Sequence, residues 1–508
     1  MSIPYPHAEK ITINQHAKPA TTRELASRDA LLLILPEAAG RTPWRGLPHA
    51  EFLAARAKQR RGMDGAAKDW ETELPNPRGT RVLVVHAKAG AGGFERLSAA
   101  REWVQRLLAT APARVAVMAA PGVAAGAVLE ASVLALLTAA CPLPSRKSVP
   151  PPAARLQDIA CHGAAAPLRI DSLRAQAQGN HLARWLTLLP GNELRPAAYR
   201  RIAETLAHEQ GWEVEFLDRH ALARRKAGAF LAVTQGGDDA GGILRLGYRP
   251  RGGRNAPRLA LVGKGICFDT GGINLKTAKS MYGMHEDMAG SAVALGTLLA
   301  LTRLGAGFAV DCWLALAENH IGPQSYKPND VVTASDGTSI EIVHTDAEGR
   351  MVLADTLAFA ARTKPRLVID YATLTGACVY ALSTRYSGVF GNRDDLLVRL
   401  TEVGRQSGER VWPFPMDADY DELLRSDIAD IKQCTVESEA DHILAARFLN
   451  RFVPAAVPWI HVDLSAHSHK GGLAHVPGDV TGFGVTLTVQ ALLGYGLLEA
   501  ATQPPAAS

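Results

Sequence analysis

The sequence predicts an α/β protein in two parts: a smaller N-terminal α/β domain, then a larger C-terminal α/β domain with a mostly parallel central sheet. Three observations carry that reading. At 508 residues the chain exceeds what one hydrophobic core usually organises. Short apolar runs alternate with helical patterns on both sides of its middle, as parallel strands joined by crossover helices do. Between them Pro142, Pro144, Pro150, Pro151 and Pro152 interrupt the chain. A Pro/Ala-rich linker from about residue 142 then ends the first domain and divides the chain into 1–165 and 166–508.

In the first part, Arg81–His86 is a compact apolar run and predicts a strand. Gly90–Gly93 turns the chain, and Phe94–Leu108 has helical spacing. Arg114–Met118 predicts a second strand and Gly126–Ala140 an Ala/Leu-rich helix. The glycine turn lacks the Lys-Ser/Thr ending of a phosphate loop and a full dinucleotide fingerprint, so it reads as a tight strand-to-helix connection. From Cys141 to about Ala166 neither periodicity is present, which gives the linker. In the second part, Arg195–Gln210 predicts a helix with Pro196 at its first position. Trp212–Leu217 and Phe230–Val233 read as strands. Arg258–Val262 reads as a buried strand ending in the loop Gly263–Gly265. Ser291–Arg303 predicts an apolar helix, Ala309–Leu316 a strand, Ser339–Val343 an extended stretch, Met351–Ala361 a helix and Leu367–Asp370 a strand. Sites in such sheets form in the loops beyond the carboxyl ends of the strands.

Composition excludes several classes. Hydrophobic residues make up 47% and charged residues 21%, ordinary globular values that rule out a disordered, collagenous or coiled-coil chain. A net charge of +5 calls for neither nucleic acid nor membrane. Six cysteines, widely spaced and without a CxxC pair, predict reduced thiols in a cytoplasmic setting. The first fifteen residues hold no apolar segment, so no secretory signal is expected. Val115–Cys141 is the most membrane-like run, but it carries Pro121, Gly122 and Glu130 and is mainly alanine, so it reads as buried helix.

The loops of the second part hold the polar residues that matter: Lys264, Asp269, Lys276, Asp287, Asp346, Glu348 and Arg350. If the extended stretch after Ser339 continues, Asp346, Glu348 and Arg350 share one face, with the Met351 helix behind them. Four carboxylates in a small site repel one another unless cations neutralise them. Two divalent ions about 3.5–4 Å apart would do so and would ionise water for hydrolysis. Oxygen ligands with one amine admit Zn, Mn or Mg, and Lys264 can be a ligand only as neutral amine. Each residue also has a structural reading: Asp287 and Asp346 can cap helices, and Gly271, Gly272 and Gly349 can serve turns.

The run Val262–Lys276 (VGKGICFDTGGINLK) and the heptapeptide His344–Arg350 (HTDAEGR) resemble the metal-site motifs of the cytosolic leucyl aminopeptidases, whose signature is usually NTDAEGR. Asp287–Gly290, Thr373–Ala377 and Thr481–Gly484 match in order and spacing, so the resemblance covers roughly residues 170 to 490. It implies a dimetal aminopeptidase, with 166–508 as catalytic domain, that removes leucine or a similar N-terminal residue from peptides. It further implies two divalent ions, Zn or Mn with Mg admitted. Lys264, Asp269, Asp287 and Glu348 would hold the tighter ion, and Asp269, Asp346 and Glu348 the more exchangeable one. Lys276 would polarise the peptide carbonyl. Arg350 would hold bicarbonate as general base, helped by the backbone of Leu374 and Gly376, and Met284 and Thr373 would line the pocket for the first side chain. The resemblance also implies a homohexamer and admits a second reading, a DNA-binding or regulatory protein that keeps the fold. For that reading the cluster Arg56, Lys58, Arg60 and Arg61 is the candidate surface, although it also reads as a solvated helix face. Three segments depart from the family pattern: His344 in place of asparagine, Glu437–His442 in place of a glycine-rich segment, and His467–His469 with His475.

Overall fold

The structure, a computed structural model, describes residues 5, 11–37, 44–64, 69–149, 154–237, 241–252, 256, 258–437 and 439–504. It divides into two compact units, one of Pro6–Ala177 with Lys470–Asp479, the other of Met1–Tyr5, Gln178–His469 and Val480–Ser508. The division runs through the helix Ile170–Thr187.

The first unit is built on β1 (Thr12–His16), β2 (Ala30–Pro36), β3 (Trp70–Glu73), β4 (Arg81–Ala87), β5 (Arg114–Ala119) and β6 (Asp158–His162), in the order β1-β6-β5-β2-β4-β3. All neighbours are parallel except β3 and β4. Alternation along the strands feeds two cores. Leu32, Ile34, Leu83 and Val85 pack with Leu97, Val104 and Leu129 of the helices Gly93–Leu108 and Ala125–Ala140. Leu31, Leu33, Val82 and Val84 pack on the other face with Leu53 of the helix Ala50–Asp64. The membrane-like run is thus β5, a turn and a buried helix. No helix among the described residues is long and apolar enough to cross a membrane.

One expectation fails here. The stretch Cys141–Ala166 is not wholly a linker, because Asp158–His162 forms β6, paired on both sides with β1 and β5. Its Ile159, Ala160 and Cys161 are fully buried. A five-residue strand buried on both faces shows no alternation, and the prolines before it mask it.

The second unit carries β7 (Glu213–Leu217), β8 (Gly242–Tyr248), β9 (Arg258–Asp269), β10 (Ala309–Asn319), β11 (Val331–Thr333), β12 (Ser339–Glu341), β13 (Leu367–Ala372), β14 (Ser387–Gly391), β15 (Val411–Pro413), β16 (Ile431–Lys432) and β17 (Trp459–Asp463). Eight of them form the sheet β15-β14-β17-β13-β9-β10-β8-β7, whose centre, β17 to β10, is parallel, and β11, β12 and β16 form a small second sheet. Three local expectations change. Phe230–Val233 lies in the helix Gly228–Thr234, and of those four residues all but Leu231 are buried. A short apolar run carries no periodicity to separate the two states. The strand from Arg258 continues to Asp269, so Lys264 sits mid-strand and not in a loop. Gly263 and Gly265 belong to that strand because neighbours press on it: a Cβ on Gly263 would stand 2.4 Å from Ser291 Cα. Finally, the chain is helical from Glu348, not extended, so Asp346, Glu348 and Arg350 do not share a strand face.

Candidate active site

Lys264 and Asp269 ride on β9, the strand flanked by β13 and β10. Asp287 precedes the buried helix Ala289–Arg303, and Glu348 opens the helix Glu348–Arg362. Close packing lets these elements converge. A Cβ on Gly290 would stand 2.1 Å from Tyr371 O, and one on Gly349 would stand 2.7 Å from Lys264 Nζ. At Gly290, where the neighbour is backbone, only glycine permits the approach; at Gly349 a side chain would displace the Lys264 amine.

The two lysines each gather two carboxylates. Lys264 Nζ lies 2.9 Å from Asp287 Oδ2 and 2.8 Å from Glu348 Oε1, and donates to Thr373 O at 3.0 Å. Lys276 Nζ lies 2.9 Å from Asp269 Oδ2 and 2.7 Å from Asp346 Oδ1. Burial disfavours both ammonium charges, yet the surrounding carboxylates outweigh it and hold both amines above their ordinary pKa. Burial pushes the carboxyls of Asp287, Asp346 and Glu348 upward, against the pull of the lysines. Two ammoniums leave two of the four carboxylate charges uncompensated when all are ionised.

Oxygens of Asp269, Asp346 and Glu348 all lie within 4.8 Å of one another, and Glu348 Oε2 is buried with no hydrogen-bond partner. A largely buried oxygen set, with Asp346 at its more open side, excess negative charge and an unused acceptor, fits divalent cations. Asp269, Asp287, Asp346, Glu348, Lys264 and Lys276 are therefore together in one site.

Arg350 is buried on the same helix, two residues beyond Glu348, and its guanidinium faces the chain's own groups. Nη2 donates to Asp441 Oδ1 at 2.7 Å and Nη1 to Gln433 O at 3.2 Å. Leu374 N–H donates to Asp463 Oδ1 at 3.1 Å, and Gly376 opens the helix Gly376–Leu382. Thr373 Oγ1 donates to Asp287 Oδ1 at 2.7 Å, which ties it to the carboxylate cluster and not only to a pocket wall. Met284 begins a half-buried single turn just before Asp287. His344 Nδ1 accepts from Asp346 N–H at 3.2 Å, so that nitrogen carries no proton; burial, Lys276 and Arg350 hold its pKa down. The HxH pair does not converge on one point. His467 Nε2 faces Glu286 Oε2 at 3.4 Å, whereas His469 Nδ1 bonds Thr384 Oγ1 at 2.7 Å.

The catalytic-domain profile of the cytosol aminopeptidase family matches residues 181–489, well over half of the chain. The chain belongs to the cytosol aminopeptidase family. Relatives of this family named "Probable cytosol aminopeptidase" include one from Prochlorococcus marinus (strain MIT 9313), 42% identical over 63% of this chain and 66% of the relative. Another, from Parasynechococcus marenigrum (strain WH8102), is 41% identical over 72% of this chain and 75% of the relative. The chain thus spans about two thirds of the length of the curated relatives it matches. Among solved structures, a tomato leucine aminopeptidase mutant superposes with a TM-score of 0.84 at 26% identity, covering 97% of this chain and 99% of the other. The bottromycin maturation enzyme BotP, solved in complex with Mn, gives 0.78 at 30% identity over 94% and 100%.

Around the cytosol aminopeptidase motifs stand residues that sequence reasoning missed. Asn319, the register partner of Asp269 on β10, donates to Asp269 Oδ1 at 2.9 Å and to Thr345 O at 3.0 Å. Gln433 accepts from the N–H groups of Val343 and His344 and donates to Ala347 O at 3.0 Å, so it sets the shape of the heptapeptide. Asn319 lies fifty residues from the aspartate it orients and Gln433 some ninety from the loop it braces. Only their burial after folding marks them.

Proposed function

We propose that this protein is a dimetal aminopeptidase that hydrolyses the N-terminal residue, leucine or similar, from peptides, with residues 166–508 as its catalytic domain. The observation that carries the reading is the convergence of Asp269, Asp346 and Glu348 within 4.8 Å, beside Lys264 and Asp287. In this reading Asp269, Asp287 and Glu348, with Lys264 once the ion's charge has displaced its proton, would hold one divalent ion, and Asp269, Asp346 and Glu348 would hold the other, Zn or Mn with Mg admitted. When bound, such a pair supplies a nucleophile from water at neutral pH and positive charge for the peptide carbonyl. Lys276 presents a fixed positive charge to the oxygen that becomes negative as the carbonyl is attacked. Arg350 keeps an anion beside the reacting centre, where the family resemblance implies bicarbonate. Thr373 holds Asp287 in place and, with Met284, borders the space for the first side chain. By the family resemblance, the backbone of Leu374 and Gly376 would help Arg350 hold that anion.

The family resemblance further supports a cytoplasmic homohexamer, which light scattering on the purified protein tests. The nucleic-acid alternative has no specific observation in its favour. Arg56 lies 5.3 Å from the Phe52 ring and Arg60 5.7 Å from the Trp70 ring, on their own chain. The side chain of Arg61 lies outside the described residues. The deciding experiment is hydrolysis of an aminoacyl-anilide panel after chelation and after re-addition of Zn, Mn or Mg. Chelation should abolish turnover and a divalent ion should restore it. Full turnover by metal-free protein, verified by elemental analysis, would overturn the reading.

A further inference from the structure

A buried guanidinium needs a counter-anion, because an unpaired charge away from water is costly. The Arg350 side chain is 3% exposed, and among the described residues Asp441 is the carboxylate paired with it, at 2.7 Å. Arg350 Nη1 is taken by Gln433 O, and Nε has no hydrogen-bond partner. The pair is built, not incidental. Asp441 is the first residue of the ten-residue helix Asp441–Asn450, where a negative charge is favoured by the helix dipole. Ala440 before it holds a left-handed φ of +54°, a conformation that a non-glycine residue keeps only when its surroundings enforce it. His442 after it packs edge-on against Phe414 at 4.5 Å, which fixes the helix start from the other side. The Leu374 N–H, which the family resemblance assigns to help hold an anion at Arg350, is here given to Asp463.

We propose that Asp441 is the resident anion of the Arg350 site, so that this protein runs its reaction without a diffusible oxyanion such as bicarbonate. The inference rests on the aminopeptidase reading and refines it at one residue. A bicarbonate ion entering beside Asp441, itself only partly buried, would set two anions against the one buried guanidinium, and their repulsion disfavours it. The carboxylate brings the same charge and the same pair of acceptor oxygens, attached to the chain. Asp441 lies in the segment Glu437–His442, which is where this sequence departs from the glycine-rich pattern of its family.

The test uses the metal-loaded full-length protein in carbonate-stripped buffer, with two readouts: turnover of a leucyl anilide, and calorimetric titration with bicarbonate. For the parent, added bicarbonate should change turnover by less than about twofold, and no saturable binding should appear. Asp441→Gly removes the carboxylate and leaves room. It should lose roughly 10²-fold in turnover, bind bicarbonate, and regain at least about tenfold when bicarbonate is added. Asp441→Asn keeps the space filled without the charge, so it should be slow and not rescued. Saturable bicarbonate binding by the parent, or a parent that needs bicarbonate for turnover, overturns the proposal. So does a glycine variant that matches the parent in stripped buffer, or a folded one that bicarbonate neither binds nor rescues. If the glycine variant fails to fold, the parent measurements decide alone. If the parent hydrolyses no anilide with any metal, the aminopeptidase reading falls, while calorimetry still decides whether Asp441 excludes the anion.

Discussion

The two sheets of this protein are built by the same rules and do different work. Both have parallel centres made of apolar runs and both are flanked by helices. In the first unit the five parallel strands end in His16, Pro36, Ala87, Ala119 and His162. In the second, β9 carries a buried lysine mid-strand and ends in a buried aspartate, and the next elements bring Asp287 and Glu348 against them. An α/β sheet therefore offers a place for chemistry without supplying any. What distinguishes the second sheet is charge placed inside it, held by glycines that let helices approach β9.

That contrast can be broken most severely at the carboxylates. Glu348→Ala should lower peptidase turnover by more than roughly 10³-fold and remove bound metal, read by elemental analysis. A variant with full metal and turnover would leave the cluster without a role. Lys276→Ala should cost about two orders of magnitude in turnover while metal content stays near that of the parent, since Lys276 presents charge to the substrate. Loss of both ions in that variant would refute its assignment. Asn319→Ala should weaken metal affinity by roughly ten- to a hundredfold, because it orients Asp269 without replacing it; competition with a chelator of known strength measures this. In the first unit the expected effect is on stability instead. Leu32→Ala, a fully buried position, should cost about 2–5 kcal/mol in denaturant unfolding of that unit, with turnover per folded molecule unchanged.

The units should also differ in their response to pH. In the first, hydrogen bonds and ion pairs to arginines hold the carboxyls of Asp29, Glu71 and Glu130 below their ordinary pKa, against the effect of burial. Their contribution is fully present above the ordinary carboxyl value and is lost progressively as pH falls from there through their lowered folded-state pKa. In the second, burial pushes Asp355 up to about 6 and Glu409 up to about 7, although each accepts backbone hydrogen bonds. For these two the folded state binds more protons than the unfolded one, so stability falls as pH rises from about 4 to 7. Hydrogen exchange, corrected for intrinsic rate, should show the second unit loosening between pH 5 and 7 while the first does not, because burial holds its His162 below the ordinary imidazole pKa and so favours that unit as pH rises through that value. Glu409→Gln should flatten part of that slope, and equal slopes in both proteins would remove Glu409 as a cause. The smallest effect is expected at His344→Asn. With Nδ1 already an acceptor, the imidazole is neutral near pH 7, so turnover there should change by no more than a few-fold.

The sequence by itself determined most elements with a long or strongly patterned run, such as Arg81–Ala87, Pro196–Gln210 and Ala289–Arg303, because local periodicity and capping are local physics. It also determined the residue types of the site and, through the heptapeptide His344–Arg350, the family. It could not fix the state of Phe230–Val233 or of Asp158–His162, since a short run buried on every side carries no period. It placed Asp346, Glu348 and Arg350 on one extended face, whereas a helix begins at Glu348 and brings its carboxylate to Lys264 by packing. Only the tertiary structure decided which groups meet: Asn319 with Asp269, Gln433 with the heptapeptide, and Asp441 with Arg350. These pairs lie 50 to 91 residues apart, and the need to satisfy buried polar and charged groups selects them only once the chain has closed around them.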